Sequence, residues 1–177
     1  KSLEMKVIIG GAGITGLAVG AYLEKKEIDY KIFERSDNIS NSTTAIQLAS
    51  NCRFVLRELN LLDDIKQLSI EQSSLNVYSE DRHITNISVT NSSKEGTLFI
   101  RRKDLLSTIA SLIPTDKISY SSTIENISST EHSVDVGINN KQLRSDLFVG
   151  SLGQQSLAPS DLTKTNTIAC WGISNTN

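Results

Sequence analysis

Residues 5–16 read Met-Lys-Val-Ile-Ile-Gly-Gly-Ala-Gly-Ile-Thr-Gly, and this stretch decides the fold of the chain. The apolar run at 7–9 is typical of a strand that is buried on both faces of a parallel sheet. Gly11, Gly13 and Gly16 follow in the pattern G-x-G-x-x-G, in which a strand turns tightly into a helix. The stretch therefore predicts a strand, a glycine turn and a helix in direct succession.

The same spacing is that of a dinucleotide-binding turn. Its first glycine permits the turn, its second lets a pyrophosphate approach the backbone, and its third lets helix and strand pack closely. The N–H groups that begin the helix have no partner within it, and the helix dipole favours an anion there. Glu34 follows the next apolar run. Its spacing from the glycine motif is close to the ~20 residues at which an acid accepts from a ribose 2′-OH.

Residues 11–16, Glu34 and Arg35 are therefore the first candidates for cofactor binding. The backbone of the turn would hold the pyrophosphate and Glu34 the ribose, while Arg35 would contact adenine or phosphate. The alternatives stay open: a glycine-rich turn without a ligand, a solvated acid at a strand end, and a surface arginine. The candidates in the turn are Gly11, Ala12, Gly13, Ile14, Thr15 and Gly16.

Composition narrows the class of protein. The 177 residues are 38% hydrophobic and 21% charged, as in folded domains, and the net charge of −2 argues against nucleic-acid binding. Cys52 and Cys170 have no metal-ligand spacing and suit a reducing cytoplasm. No apolar run reaches the roughly 20 residues that cross a membrane. We expect a cytoplasmic protein with a small-molecule substrate, no nucleic acid, no membrane span and no metal; His83 and His132 are expected to be exposed.

Periodicity predicts an α/β chain. Helices are predicted at Ile14–Lys26, Ala45–Leu59, Leu61–Leu68 and Arg102–Leu112. Strands are predicted at Val7–Ile9, Tyr30–Phe33, Leu75–Ser79, Ile84–Val89, Thr97–Ile100, Ile118–Tyr120, Ser122–Ile127, Ser133–Ile138, Lys141–Leu143 and Leu147–Val149. The strands between 75 and 100 should be antiparallel, those between 122 and 143 a meander, and the last one buried. The buried face of the second helix should consist of Leu48, Cys52, Val55, Leu56 and Leu59. Asn60 should end this helix in a left-handed conformation.

This order of elements resembles the FAD-dependent aromatic hydroxylases, the group typified by para-hydroxybenzoate hydroxylase. The matching segments are the dinucleotide turn, Ile32–Arg35, Ala45–Asp63, Arg102–Leu106, Asp146–Gly150 and Cys170–Ile173. In that family the arginine that matches Arg102 contacts the FAD, which adds Arg102 to the cofactor-binding candidates. Its neighbours Arg101 and Lys103 make a plain basic face the alternative.

The chain also departs from the family pattern. Where the family has Gly-Ala-Asp-Gly, this chain has Gly150-Ser151-Leu152-Gly153, so a carboxylate near the cofactor is replaced by an apolar side chain. The flavin-side loop reads Thr43-Thr44-Ala45 in place of glycines. The C-terminal half of the family, with its second flavin-contacting motif, has no counterpart.

The resemblance implies a Rossmann-like FAD-binding three-layer fold with a parallel central sheet, an antiparallel meander and part of a substrate-domain β-sheet. Residues 1–177 would form the FAD-binding domain, with 70–100 as a partial substrate-domain insertion. It also implies a flavin-dependent monooxygenase that uses NAD(P)H and O₂ to hydroxylate a small, aromatic substrate. No catalytic side chain is predicted, because in such enzymes the flavin supplies the chemistry.

Two alternatives remain at this point. One is a degenerate, non-catalytic module that binds FAD or another ADP-containing ligand, which the substitution at Leu152 favours. The other is an NAD-binding dehydrogenase-like domain, because Glu34 suits NAD as well as FAD. The oligomeric state is not determined by the sequence.

Overall fold

The computed structural model describes residues 7–42, 44–90 and 94–153. These divide into two compact units, the first holding residues 7–40 and 109–153 and the second holding the described residues between 41 and 108. The units are described separately. The predictions that fall on Met5, Lys6, Thr43 and the segment Cys170–Ile173 lie outside the described residues.

The described residues form four α-helices and twelve strands. The helices are α1 (Ile14–Lys25), α2 (Cys52–Glu58), α3 (Leu62–Gln67) and α4 (Arg102–Ala110), and a 3-10 turn spans Thr115–Lys117. The strands are β1 (Val7–Gly10), β2 (Tyr30–Phe33), β3 (Ala45–Leu48), β4 (Ser69–Gln72), β5 (Ser74–Ser79), β6 (Arg82–Ser88), β7 (Thr97–Arg101), β8 (Ile118–Ser119), β9 (Ile124–Ser129), β10 (Val134–Ile138), β11 (Lys141–Ser145) and β12 (Leu147–Gly150).

A parallel sheet in the order β12-β1-β2-β8 forms the centre of the first unit. Strand β1 pairs in parallel with both β12 and β2, so that Gly10 lies beside Phe33 and Gly150. All four residues of β1 are buried, as expected for a strand covered on both faces. The carboxyl ends of β1, β2 and β12 therefore meet at one edge of the sheet, where the glycine turn begins.

Two layers cover this sheet. Helix α1 lies against one face, where a Cβ atom on Gly20 would come within 2.7 Å of Ile32. The antiparallel meander β9-β10-β11 covers the other face, where Ile8 and Phe33 share a hydrophobic cluster with Val136 of the meander. A helix layer, a parallel sheet and a meander confirm the predicted three-layer α/β fold class.

The last strand differs from its prediction. Strand β12 was expected to be buried, but Leu147 is 47% exposed. Among the described strands β12 has a neighbour on one side only, so it is an edge strand. An apolar run does not reveal whether a strand lies at the centre or the edge of its sheet, because that depends on distant partners.

The second unit contains two antiparallel sheets. Strand β7 lies between β3 and β4, and β5 pairs with β6 in a hairpin. The predicted antiparallel strands are therefore confirmed, and β4 is an addition that the sequence reading did not include. Asn60 has a φ of 58°, in agreement with its predicted left-handed conformation at the end of α2.

The predicted helix Ala45–Leu59 is wrong in its first part. Residues 45–48 form strand β3, whose Ala45 lies opposite Arg101 and whose Leu48 lies opposite Leu98. Ala, Gln and Leu favour a helix, but pairing with a strand about fifty residues away prevails over this local preference. Helix α2 begins only at Cys52.

The buried face of α2 also differs from its prediction. Val55 is 46% exposed, whereas Arg53 is 1% exposed. One guanidinium nitrogen of Arg53, Nη2, donates to Glu71 Oε1 and to the Gly96 carbonyl, both at 2.6 Å. Among the described residues its Nε and Nη1 atoms have no hydrogen-bond partner, although Nη1 lies 3.8 Å from Glu95 Oε1 in an ion pair. A buried cation thus takes the place expected for an apolar side chain, and it ties α2 to β4 and to the start of β7.

We expect Arg53→Ala to lower the free energy of unfolding by about 2–5 kcal/mol, because it leaves a cavity and removes the donor to Gly96. Urea denaturation followed by circular dichroism measures this change. Arg57→Ala is the matched control, because Arg57 lies one turn away and, like Arg53, pairs with Glu95. Arg57 is half exposed, so its loss should lower the free energy of unfolding by less than about 1 kcal/mol. Equal losses in the two variants would contradict the structural role of Arg53.

Candidate functional site

The glycine turn joins β1 to α1 at the carboxyl edge of the parallel sheet. Gly11 has a φ of 96°, a conformation that side chains other than glycine rarely adopt. A Cβ atom on Gly11 would also lie 2.5 Å from the Ser151 carbonyl oxygen. The first glycine of the motif is therefore required both by its backbone conformation and by its surroundings.

The other two motif glycines have opposite surroundings. A Cβ atom on Gly16 would come within 1.9 Å of the Gly11 carbonyl oxygen, so this glycine is needed for the close packing of helix on turn. A Cβ atom on Gly13 would meet no atom of the described residues within 4 Å, and its φ of −77° is open to any residue. The fold itself does not require glycine at position 13, which leaves an accessible stretch of backbone beside the turn.

The start of α1 is suited to an anion. Gly13 is the N-cap of the helix and has no side chain that could accept from the first N–H groups. The first hydrogen bond of the helix runs from Leu17 N to Gly13 O at 2.9 Å. The first turn of α1 also carries no acidic residue. The helix therefore supplies no carboxylate of its own to offset the positive end of its dipole.

Glu34 directs its carboxylate into the turn. Its Oε2 atom accepts from Ala12 N at 2.7 Å, and its Oε1 atom accepts from Ser36 N at 2.9 Å. Burial raises the pKa of Glu34, but these hydrogen bonds and the charge of Arg35 outweigh it and hold the pKa below its ordinary value. The carboxylate is thus ionised near neutral pH, and its remaining lone pairs can still accept hydrogen bonds.

Strand β12 supports the turn from the other side of β1. Ser151 N donates to Gly10 O at 2.9 Å, and the Ser151 hydroxyl lies 2.6 Å from Gly10 O and 3.0 Å from Gly11 O. Leu152 packs against the cluster between sheet and meander. Sequence reasoning identified both positions as departures from a family pattern, but no motif signalled the contacts of the Ser151 hydroxyl.

The remaining candidates lie in less defined positions. Arg35 is exposed and close enough to Glu34 to lower its pKa. Arg102 begins α4 in the second unit, where its N–H donates to Thr44 O at 2.8 Å. Its neighbour Arg101 forms an ion pair with Asp104. The cofactor roles of Arg35 and Arg102 stay predictions.

The structure also bears on the expectations about metals and membranes. His83 and His132 are exposed, as predicted. Within residues 7–42, 44–90 and 94–153, no three side chains of the metal-binding types come together. In the same part of the chain, no helix has the length and hydropathy that a membrane span requires.

Comparison with known proteins gives related sequences and a related fold. The FAD-dependent monooxygenase pytG of Aspergillus terreus is 40% identical over 79 residues, which are 45% of this chain and 24% of that protein. The 2-heptyl-3-hydroxy-4(1H)-quinolone synthase of Pseudomonas aeruginosa is 38% identical over 77 residues, 44% of this chain and 20% of that protein. The crystal structure of the flavin-dependent monooxygenase PieE, in complex with FAD and substrate, matches with a TM-score of 0.74 at 15% identity, over 88% of this chain and 31% of that one.

These matches confirm the resemblance to FAD-dependent monooxygenases over part of their length. The matched stretches span about a quarter or less of the two curated relatives. No protein-family model matches the chain.

The contacts of Glu34 predict a pH dependence of stability. Because its pKa is lowered by folding, Glu34 stabilises the fold above the pKa of the unfolded chain, and this contribution is lost as the pH falls through the folded pKa. We expect Glu34→Gln to be less stable than the wild type at about pH 7 and the difference to shrink towards about pH 3. Urea denaturation at both pH values measures it, with the exposed Glu131→Gln as control. A difference that is independent of pH would contradict the assignment.

Proposed function

We propose that this chain is an FAD-binding part of a flavin-dependent monooxygenase, which uses NAD(P)H and O₂ to hydroxylate a small, aromatic substrate. The observation that carries the proposal is the glycine turn: its backbone is accessible at Gly13, a helix begins there, and the Glu34 carboxylate reaches it. This combination fits the ADP part of FAD, because it offers N–H donors to the pyrophosphate and an acceptor to the ribose. The flavin would supply the redox chemistry, and the protein would bind and orient it.

Each candidate residue has a proposed task in binding. In the turn of residues 11–16, Gly11 N already donates to Phe33 O and Ala12 N to Glu34, so the N–H groups that follow them donate to the pyrophosphate. Glu34 accepts from ribose hydroxyls with the lone pairs that Ala12 and Ser36 leave free. Arg35 adds positive charge beside the adenosine end. Arg102 contacts the cofactor, as the resemblance implies.

We also propose the domain organisation and the location that the sequence suggests. Residues 70–100 would contribute strands to a substrate-binding sheet inserted in the FAD-binding domain. The β5–β6 hairpin supports this, because Leu75, Val77 and Ile87 share one face and are each more than a third exposed. A hairpin alone is marginally stable in water, so further protein against that face would stabilise it. A cytoplasmic location fits the sparse cysteines.

A second candidate function is a non-catalytic module that binds FAD or another ADP-containing ligand. Leu152 favours it, because this side chain packs into the core where the family has a carboxylate near the cofactor. The binding site is the same in both cases, so the two functions differ in turnover and not in affinity for the ADP part. An NAD-binding dehydrogenase is less favoured, since the similar proteins described above are FAD-dependent or flavin-dependent monooxygenases.

The binding site is tested with Gly13→Ala. A methyl group at this position fits the protein but occupies the space through which a pyrophosphate approaches, so we expect ADP and FAD affinity to fall at least about tenfold. The free energy of unfolding should change by less than about 1 kcal/mol, the cost of alanine at an N-cap. Isothermal titration calorimetry with ADP and FAD measures the affinities, and urea denaturation measures stability. Unchanged affinity in the variant would refute the site.

Turnover separates the two candidate functions. The flavin-loaded protein is mixed with NADPH or NADH under air, with and without small phenolic acids, and both oxidation of the nucleotide and oxygen uptake are recorded. A monooxygenase should oxidise the reductant faster when a substrate is present. Binding of FAD without any such stimulation would favour the non-catalytic module.

A further inference from the structure

The peptide group between Gly11 and Ala12 is held at both of its ends. On one side its N–H, which belongs to Ala12, donates to Glu34 Oε2 at 2.7 Å. On the other side its carbonyl oxygen, which belongs to Gly11, lies 3.0 Å from the Ser151 hydroxyl. The C=O and N–H of a trans peptide point in opposite directions, so the two contacts hold the group from the two strands that flank β1.

This peptide group needs to be held because one of its neighbours is a glycine. With no Cβ atom, Gly11 can rotate its following peptide at little steric cost. A rotated peptide would point the Gly11 carbonyl oxygen towards Glu34 and would turn the Ala12 N–H away from it. Two negative oxygens would then face each other at the turn, and the hydrogen bond that holds the Glu34 carboxylate beside the proposed site would be lost.

The Ser151 hydroxyl is placed to prevent that rotation. It lies 2.6 Å from Gly10 O and 3.0 Å from Gly11 O, so a single O–H is shared between two successive carbonyl groups of the turn. It occupies the space that Gly16 leaves open, since a Cβ atom there would lie 2.6 Å from Ser151 Oγ. The Ser151 backbone N–H independently ties β12 to Gly10 at 2.9 Å, so the strand is in place whether or not the hydroxyl is present.

We infer that Ser151 is a positioning residue for nucleotide binding, which orients the Gly11–Ala12 peptide before the ligand arrives. The inference rests on the proposed function, because the orientation matters only if the turn receives a diphosphate. Its physical basis is preorganisation: a turn held in its binding conformation does not spend binding free energy on ordering. Ser151 acts on Gly11 O and Glu34 on Ala12 N, so each keeps the other's contact aligned.

The experiment compares Ser151→Ala with Ser145→Ala. Ser145 is the matched control because it is a buried serine of the same unit whose hydroxyl also lies near a backbone carbonyl, that of Val134 at 3.5 Å. Two quantities are measured in each protein: the exchange rate of the Ala12 amide hydrogen by NMR, and the affinity for ADP by calorimetry. In Ser151→Ala we expect Ala12 exchange to rise and ADP affinity to fall, each roughly 3- to 10-fold, the scale of one hydrogen bond. Ser145→Ala should leave both unchanged.

The outcomes separate the inference from the proposed function. A wild-type chain that does not bind ADP would refute the proposed site, and the role of Ser151 with it. A wild-type chain that binds ADP, with Ser151→Ala binding equally well, would refute the role of Ser151 alone. Ala12 exchange that rises no more in Ser151→Ala than in Ser145→Ala would also overturn the inference, because the hydroxyl would then not hold the peptide.

Discussion

The hydrogen bond between Ala12 N and the Glu34 carboxylate joins the two strands at the centre of the first unit just where both of them end. A carboxylate at this place needs compensation, because it is partly withdrawn from water. The backbone N–H groups of Ala12 and Ser36 provide it and lower the pKa of Glu34. The geometry of the turn, the charge of the site and the pairing of β1 with β2 therefore depend on one another.

The three positions of the motif hold glycine for different physical reasons. Position 11 needs glycine because its φ is positive. Position 16 needs glycine because a Cβ atom there would lie only 1.9 Å from the Gly11 carbonyl oxygen. Gly13 has neither constraint within the described residues. A side chain at position 13 would exclude only something outside those residues, and the proposed diphosphate site rests on this difference among the three glycines.

The carboxyl end of β12 departs from the family pattern while the fold is kept. Leu152 stands where that pattern has a carboxylate, and it packs against the hydrophobic cluster between sheet and meander. The hydroxyl of the neighbouring Ser151 lies close to two carbonyl oxygens of the turn. In the proposed site, the first departure would remove a charge near the cofactor, and the second would help to hold the glycine turn in place.

Features that depend on neighbouring residues can be predicted from the sequence. Local patterns predict the strand, turn and helix around Gly11–Gly16, the meander and the left-handed Asn60, and the structure agrees with each. Tertiary structure alone decided the features that depend on distant partners. Residues 45–48 form a strand because β7 pairs with them. Arg53 is buried because Glu71 and the Gly96 carbonyl accept hydrogen bonds from its guanidinium. Ser151 contacts the glycine turn because β12 pairs with β1. The physical reason is the same in each case: local propensities differ by fractions of a kcal/mol per residue, and a long-range pairing or a burial contact is enough to reverse them.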